Sequence, residues 1–253
     1  MRKWVSPIVS ILLIMLTSCS KNLNNSNTAP GKAVSPSENT ANTSSDEKPD
    51  NIPVDNDTTD KIQETKAIRE VQGLVRIDEL DSNFVIDLKY ATSDNFIGRQ
   101  AYKVNVCALR RTTAEKLVKA NNEFMKDGYR IKIWDGYRPL YVQQIFWDIV
   151  KNPLYVADPK FGSSHSTGCT VDVTLVDTNG KEVIMPTAFD DFSTKASRKY
   201  TGASKEAKKN LEYLTAVMKR NGFTTINSEW WEYRDTEMSK YPELDIKLEE
   251  FLH

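Results

Sequence analysis

Excess charge, histidine and paired cysteine are what this sequence has least of. Its 34 Lys and Arg nearly cancel its 35 Asp and Glu, leaving a formal net charge of -1 over 253 residues. That balance removes the positive footprint a polyanion-binding chain needs, so nucleic acid is not an expected partner. No protein partner is inferred either. The three cysteines include no CxxC pair, so no such pattern supports a cysteine-built metal site. The longest apolar run, Trp4 to Leu16, is interrupted by Ser and Pro and falls short of the ~20 residues of a spanning helix. Internal repeats are absent. With two histidines in the chain, His165 and the terminal His253, imidazole chemistry has few places to be.

What is present at the start is a basic tip (Arg2, Lys3), the short apolar run, and small residues before Cys19. This is the layout of a secretion signal. Its ending, Leu16-Thr17-Ser18-Cys19, resembles a bacterial lipobox, which implies a lipoprotein signal peptide over 1–19, a lipidated Cys19 and a lipid anchor in a membrane. The other reading is an ordinary cleaved signal with an incidental cysteine; export is expected from both. Residues 20–66 are Asn, Ser, Thr, Asp, Pro and Lys with hardly a large apolar side chain, too little to offset the entropy of ordering. They read as a flexible linker to a domain over 67–253. In an oxidising compartment Cys107 and Cys169 could pair; in "CTVDVTL", however, Cys169 shares the phase of Val171 and Val173, which favours a buried free thiol.

From residue 67 onward the composition is that of one globular core. "RTTAEKLVKANNEFMKDGY" predicts a helix with a Thr112/Glu115 capping box, an apolar face of Ala114, Leu117, Val118, Asn121 and Met125, and a stop at Gly128. "YRIKIW" predicts a strand, "DGYRP" a turn, and "PLYVQQIFWDIV" a helix with Pro139 in its first position. "TVDVTLV" alternates as a strand with Thr170, Asp172 and Thr174 on one face. A last helix is expected from a cap at Ser204, through Leu211, Leu214 and Met218, to Gly222. Without a regular β-α-β rhythm, the expected class is α+β: a single domain with a mostly antiparallel central sheet flanked by helices.

A small set of residues could carry chemistry. His165 lies in a Ser/Gly loop, followed seven residues later by Asp172 on the polar face of a strand. The two could converge on a metal ion; equally, the imidazole could bond neighbouring hydroxyls and the Asp face solvent. Arg138 occupies a strand-to-helix turn, a usual place for functional groups, and could instead form a salt bridge with Asp135. Glu229 and Glu232 flank Trp230-Trp231. Positions three apart in a regular strand face opposite sides, so both can serve one site only if the backbone bends between them. Otherwise they are exposed carboxylates on a strand with one aromatic face.

Taken in order, "DLKYATSDNFIGRQAY", "WDGYRP", "SSHSTGCTVDVTL", "PTAFDDF" and "EWWEY" resemble the D-alanyl-D-alanine dipeptidases of vancomycin resistance, within the wider group of zinc D,D-peptidases. The resemblance implies that His165 and Asp172 are zinc ligands, that Glu229 is the general base and later acid, and that Arg138 stabilises the transition state. Ser163 and Asp190 are implied to hold the substrate ammonium end, with the adjacent Asp191 a rival for the latter. One position departs from the pattern: the family's third zinc ligand is a histidine where this chain has Glu232. A His-Asp-His set leaves residual positive charge on a zinc site, whereas His165, Asp172 and Glu232 neutralise it. Glu232 as the substitute ligand implies a harder, more anionic site, with zinc, one per chain, open to replacement by another divalent metal, and with reduced activity. The implied function is hydrolysis of D-alanyl-D-alanine or a similar small D,D-dipeptide, by an extracytoplasmic, lipid-anchored peptidase of the bacterial cell envelope. Alternatives are a D,D-carboxypeptidase acting on peptidoglycan stem peptides and a catalytically silent module that binds cell-wall fragments.

Overall fold

Among the described residues the chain forms eight strands and four α-helices. They are β1 (Glu70–Val71), β2 (Leu74–Arg76), α1 (Ile77–Leu80), β3 (Val85–Ile86), β4 (Ala108–Arg110), α2 (Arg111–Lys126), β5 (Tyr129–Asp135), α3 (Leu140–Ile149), β6 (Thr170–Asp177), α4 (Lys205–Arg220), β7 (Phe223–Thr225) and β8 (Glu232–Asp235). The structure, a computed structural model, describes residues 67–153 and 155–252. The expected signal peptide, Cys19 and the linker 20–66 lie outside them. Among the described residues no helix is long and apolar enough to cross a membrane.

The central sheet has the order β3-β5-β6-β8-β7. Three of its four pairs are antiparallel and β3 with β5 is parallel, so the sheet is mostly antiparallel, as expected, with one parallel edge pair. A second, antiparallel sheet holds β1, β2 and β4. Along β6 the side chains alternate: Val171, Val173 and Leu175 join the apolar core with Leu117 and Phe124 of α2 and Leu214 and Met218 of α4. Thr170, Asp172 and Thr174 take the other face and are buried too. Truncating a core side chain such as Leu117 to Ala should cost about 2–5 kcal/mol. Cys107 and Cys169 are buried free thiols.

Local details differ from the sequence expectations where tertiary contacts intervene. α2 starts at Arg111 with Arg110 as its cap, and no side chain caps it. Thr112, expected to begin a capping box, instead shares a hydrogen bond with the Tyr241 hydroxyl at 3.0 Å. The helix needs no box because β4 leads straight into it, and the Arg111 amide is taken by the Gly73 carbonyl. Phe124 is buried on α2 whereas Met125 is exposed. Pro139 is the cap of α3 rather than its first residue: its ψ of 146° is extended, and its carbonyl accepts from the Val142 and Gln143 amides. α4 behaves as expected, with Ser204 accepting from the Ala207 amide and Gly222 at φ 89° beyond its end.

Candidate metal centre and active site

Three segments bring the candidate residues to one face of the central sheet. His165 sits on a 3-10 turn, Ser164–Thr167, closed by Gly168 in the left-handed region at φ 75°. A Cβ at Gly168 would lie 2.4 Å from Leu74 Cδ2, so glycine is required for the turn to pack on β2. Asp172 on β6 stands directly opposite Glu232 on β8 in the antiparallel register. The backbone bends at Trp230 and Trp231, just before β8, as two carboxylates three apart demand if they share a site.

That bend is held by a residue the sequence did not single out. Arg198 donates from Nε to the Ile226 carbonyl at 3.0 Å and from Nη2 to the carbonyls of Trp230 and Glu232, at 2.5 and 3.2 Å. Its own amide donates to Asn227, and its guanidinium lies 4.6 Å from the Tyr233 ring centroid. One side chain thereby satisfies carbonyls that a bent strand cannot pair with its neighbours.

His165, Asp172 and Glu232 are 3%, 2% and 5% exposed, so their charges must be settled inside the protein. The His165 Nδ1 lies 2.8 Å from the Gly136 carbonyl. A carbonyl only accepts, so Nδ1 carries the proton and donates it there. A Cβ at Gly136 would stand 3.0 Å from Cys107 Sγ and 3.2 Å from the Ala108 carbonyl, so a glycine lets this turn pack closely on β4. The opposite nitrogen, Nε2, faces Asp172 Oδ2 at 3.5 Å and Glu232 Oε2 at 3.6 Å. Both distances are long for hydrogen bonds and natural for donor atoms spaced around one cation with bonds of about 2.0–2.2 Å.

The electrostatics point the same way. Burial pushes the Asp172 carboxyl well above the carboxylate range, and the charges of Glu232, Asp135 and Glu229 push it further. Its Oδ1 is buried without a hydrogen-bond partner. Burial acts against charge on Glu232 too, but a positively charged His165 and Arg234 outweigh it and hold this carboxyl low; with Nε2 bare, Arg234 and a bound cation would take over that role. Ligand atoms of Asp172, Glu229 and Glu232 fall within 4.8 Å of one another, as do those of Asp135, His165 and Asp172. His165 Nε2 with the facing oxygens Asp172 Oδ2 and Glu232 Oε2, and the orphaned Asp172 Oδ1 beside them, make a donor set that fits a divalent cation. Asp135 belongs to the neighbouring polar network: it accepts from Tyr102, the Gly136 amide and Arg138.

Arg138 does form the salt bridge with Asp135, at 2.6 Å, and it also lines the cavity. Its Nη1 donates to Gln143 at 2.8 Å, and it stacks over Tyr90 and Phe146. Glu229 accepts from the Trp231 indole at 3.0 Å. Burial first, then the charges of Glu232 and Asp190, raise its carboxyl to about 8. Asp190 and Ser163 both line the same cavity, of about 480 Å³; Asp191 does not, and instead caps the Ser193 amide. The Tyr90 hydroxyl donates to Asp190 at 3.1 Å. Asp190 adopts φ 55°, a strained left-handed conformation for a non-glycine residue. Burial raises its carboxyl to about 7.

Sequence reasoning passed over Tyr90, Gln143, Arg198 and Arg234. For Arg234 a signal existed: two residues beyond Glu232 on a strand, it must share that residue's face. It donates from Nε to Glu232 Oε1 at 2.6 Å. Arg198 lies some thirty positions away from the segment it holds and left no periodic trace.

A family model described as D-ala-D-ala dipeptidase matches residues 70–248. The D-alanyl-D-alanine dipeptidase of Escherichia coli is 33% identical over 157 residues, covering 62% of this chain and 81% of that protein. The enzyme of that name from Enterococcus faecium is 32% identical over 186 residues, covering 64% of this chain and 90% of its own length. Among solved structures, VanYB in complex with D-Alanine-D-Alanine aligns at 18% identity and a TM-score of 0.35, over 58% of this chain and 84% of that one.

Proposed function

The chain belongs to the D-alanyl-D-alanine dipeptidase family, and from that premise we propose that it is a metal-dependent hydrolase of D-alanyl-D-alanine or a similar small D,D-dipeptide. The observation that carries this reading is the lone pair of His165 Nε2 facing two buried carboxylates, one with an orphaned oxygen. His165, Asp172 and Glu232 would hold the ion, with zinc the first choice and a harder divalent metal admitted by the two oxygen donors. When bound, such an ion supplies Lewis acidity toward a carbonyl and toward water.

The protein's own groups would do the rest. Glu229, whose raised pKa suits a proton carrier near neutral pH, takes a proton from the attacking water and passes it to the leaving amine. The Trp231 indole keeps the carboxylate aimed while this happens. Arg138 is fixed by Asp135 and Gln143 and retains N–H groups for the oxygen that gains charge, an interaction worth about 3 kcal/mol or more when preorganised. Asp190, supported by Tyr90, pairs with the substrate ammonium, and Ser163 lines the same cavity. Export and lipidation at Cys19 would place the domain outside the cytoplasmic membrane, where peptidoglycan fragments and released dipeptides are found.

The test is metal analysis of the purified protein joined to an assay of alanine release. About one divalent ion per chain, and turnover of D-alanyl-D-alanine in preference to a pentapeptide ending in it, is the expected result. Preference for the pentapeptide makes the protein a carboxypeptidase; a chain that binds neither ion nor substrate overturns the reading.

A further inference from the structure

A free dipeptide presents three features to its site: an ammonium, an amide and a terminal carboxylate. The cavity provides for the first two in the proposed function, on which this inference rests and which it extends. The third faces an obstacle. Five carboxylates line the cavity, those of Asp172, Asp190, Glu229, Glu232 and Glu243, and an anionic substrate end entering among them is repelled unless a cation meets it. Among the described residues the lining contains two arginines and no lysine. Arg138 is fixed by Asp135 and Gln143, and its remaining N–H groups are the ones already assigned to the oxygen that gains charge.

Arg234 is differently placed. Its Nε bonds Glu232, and its side chain makes no other hydrogen bond or ion pair with a described residue, so both terminal nitrogens remain open. Its side chain is 33% exposed, enough to meet a ligand from the cavity side. On the β6-β8 ladder Thr170 pairs with Arg234 and Asp172 with Glu232, so Arg234 stands one ladder step, roughly 7 Å, beyond the two acids and reaches back toward them. Asp190 is tied by Tyr90 to the Arg138 side. The carboxylate of a dipeptide lies about one residue length, ~3.5 Å, past the scissile amide. A guanidinium separated from the centre by a single carboxylate is therefore at the right reach.

We propose that Arg234 is a specificity-determining residue that receives the free carboxylate of the substrate on its Nη1 and Nη2 fork while Nε stays on Glu232. The planar fork matches a carboxylate with two parallel bonds. The same side chain offsets the negative charge that Glu232 brings to the cluster. The site so described selects peptides whose leaving residue is the chain terminus and rejects those whose carboxylate is masked.

The experiment compares D-alanyl-D-alanine with its C-terminal carboxamide, on the full chain and on Arg234→Gln. The expected parent prefers the acid by about tenfold or more in KM. Arg234→Gln should raise KM for the acid by about tenfold and change KM for the amide by less than about twofold, both measured at saturating metal. Equal treatment of acid and amide by the parent overturns the proposal. So does an equal loss on both substrates in the variant, which would mean that Arg234 acts only through Glu232. Should the Gln variant fail to fold, Arg234→Lys keeps the charge without the fork and is expected to show a smaller rise for the acid alone. If the parent hydrolyses neither compound, the hydrolase reading fails separately; calorimetric binding of acid and amide to the parent and variant then decides this inference by the same inequality.

Discussion

Nε2 of His165 and Oε2 of Glu232 stand 3.6 Å apart, too far for a firm hydrogen bond and about right for two donors to one ion. Around that pair the protein has buried a second acid with an unpaired oxygen. Without a cation the cluster would be held together against like-charge repulsion, and a cation bound there would remove the conflict.

Stability should therefore depend on metal. Chelation and dialysis are expected to lower the unfolding free energy by about 3 kcal/mol relative to protein in hundredfold excess of a metal over its Kd, with recovery on adding zinc. Denaturant unfolding with and without the ion measures this; an identical midpoint in both would count against the centre.

Replacing Glu232 by His should favour zinc over manganese, because a second nitrogen donor softens the set. Glu232→His is expected to tighten zinc binding by about tenfold or more and to raise hydrolysis. Competition with a chromophoric chelator reads the affinity. A weaker site would show that Glu232 does not stand in for a ligand.

Glu229→Gln keeps the shape and the Trp231 contact but cannot take a proton. It is expected to lower kcat by about 10²–10⁴-fold while metal content stays that of the parent. Steady-state kinetics beside metal analysis separates this outcome from loss of the centre.

Asp190 should impose a pH dependence on substrate capture. Burial raises its carboxyl to about 7, so KM for an ammonium-bearing substrate is expected to fall as pH rises through that value and the group ionises. Tyr90 donates to the ionised form, so Tyr90→Phe should move the inflection upward. The linkage to stability has the opposite sense. A carboxyl with a folded pKa above its unfolded value binds more protons when folded, so its contribution is greatest in acid and fades as pH rises from about 4 to about 7. KM-pH profiles of the two proteins check the first effect, and unfolding of the metal-free chain across that window checks the second.

Arg198 predicts a loss that reaches the site from outside it. Arg198→Lys keeps a positive charge but cannot serve several carbonyls at once. It should cost about 3 kcal/mol in unfolding free energy and reduce metal retention, since Glu229 and Glu232 are carried on the bend it holds. Unfolding and metal retention measured together test the link; a stability loss with metal affinity untouched would separate the two.

Several of these features are legible in the amino-acid sequence. Period-two alternation in "TVDVTLV" places Asp172 opposite Val171 and Val173 because a pleated strand allows nothing else, and the serine cap and glycine stop of α4 follow from backbone chemistry local to them. That Glu229 and Glu232 can share one site only across a bend also follows from strand geometry. The expected capping box at Thr112 fails because a cap is decided by what else can reach the helix end, and here the Gly73 carbonyl and Tyr241 arrive from distant sequence.

The order of residues thus fixed which side chains are able to carry a metal and a proton, since identity and short-range periodicity are local properties. Folding alone decided that Asp190 and not Asp191 borders the cavity, that Arg198 ties the bend, and that Arg234 sits over Glu232 with its fork open. Those are facts of proximity between segments far apart along the chain. Charges and hydrogen bonds act through space at a few ångströms, so their partners are chosen by packing and leave no period in the sequence to read.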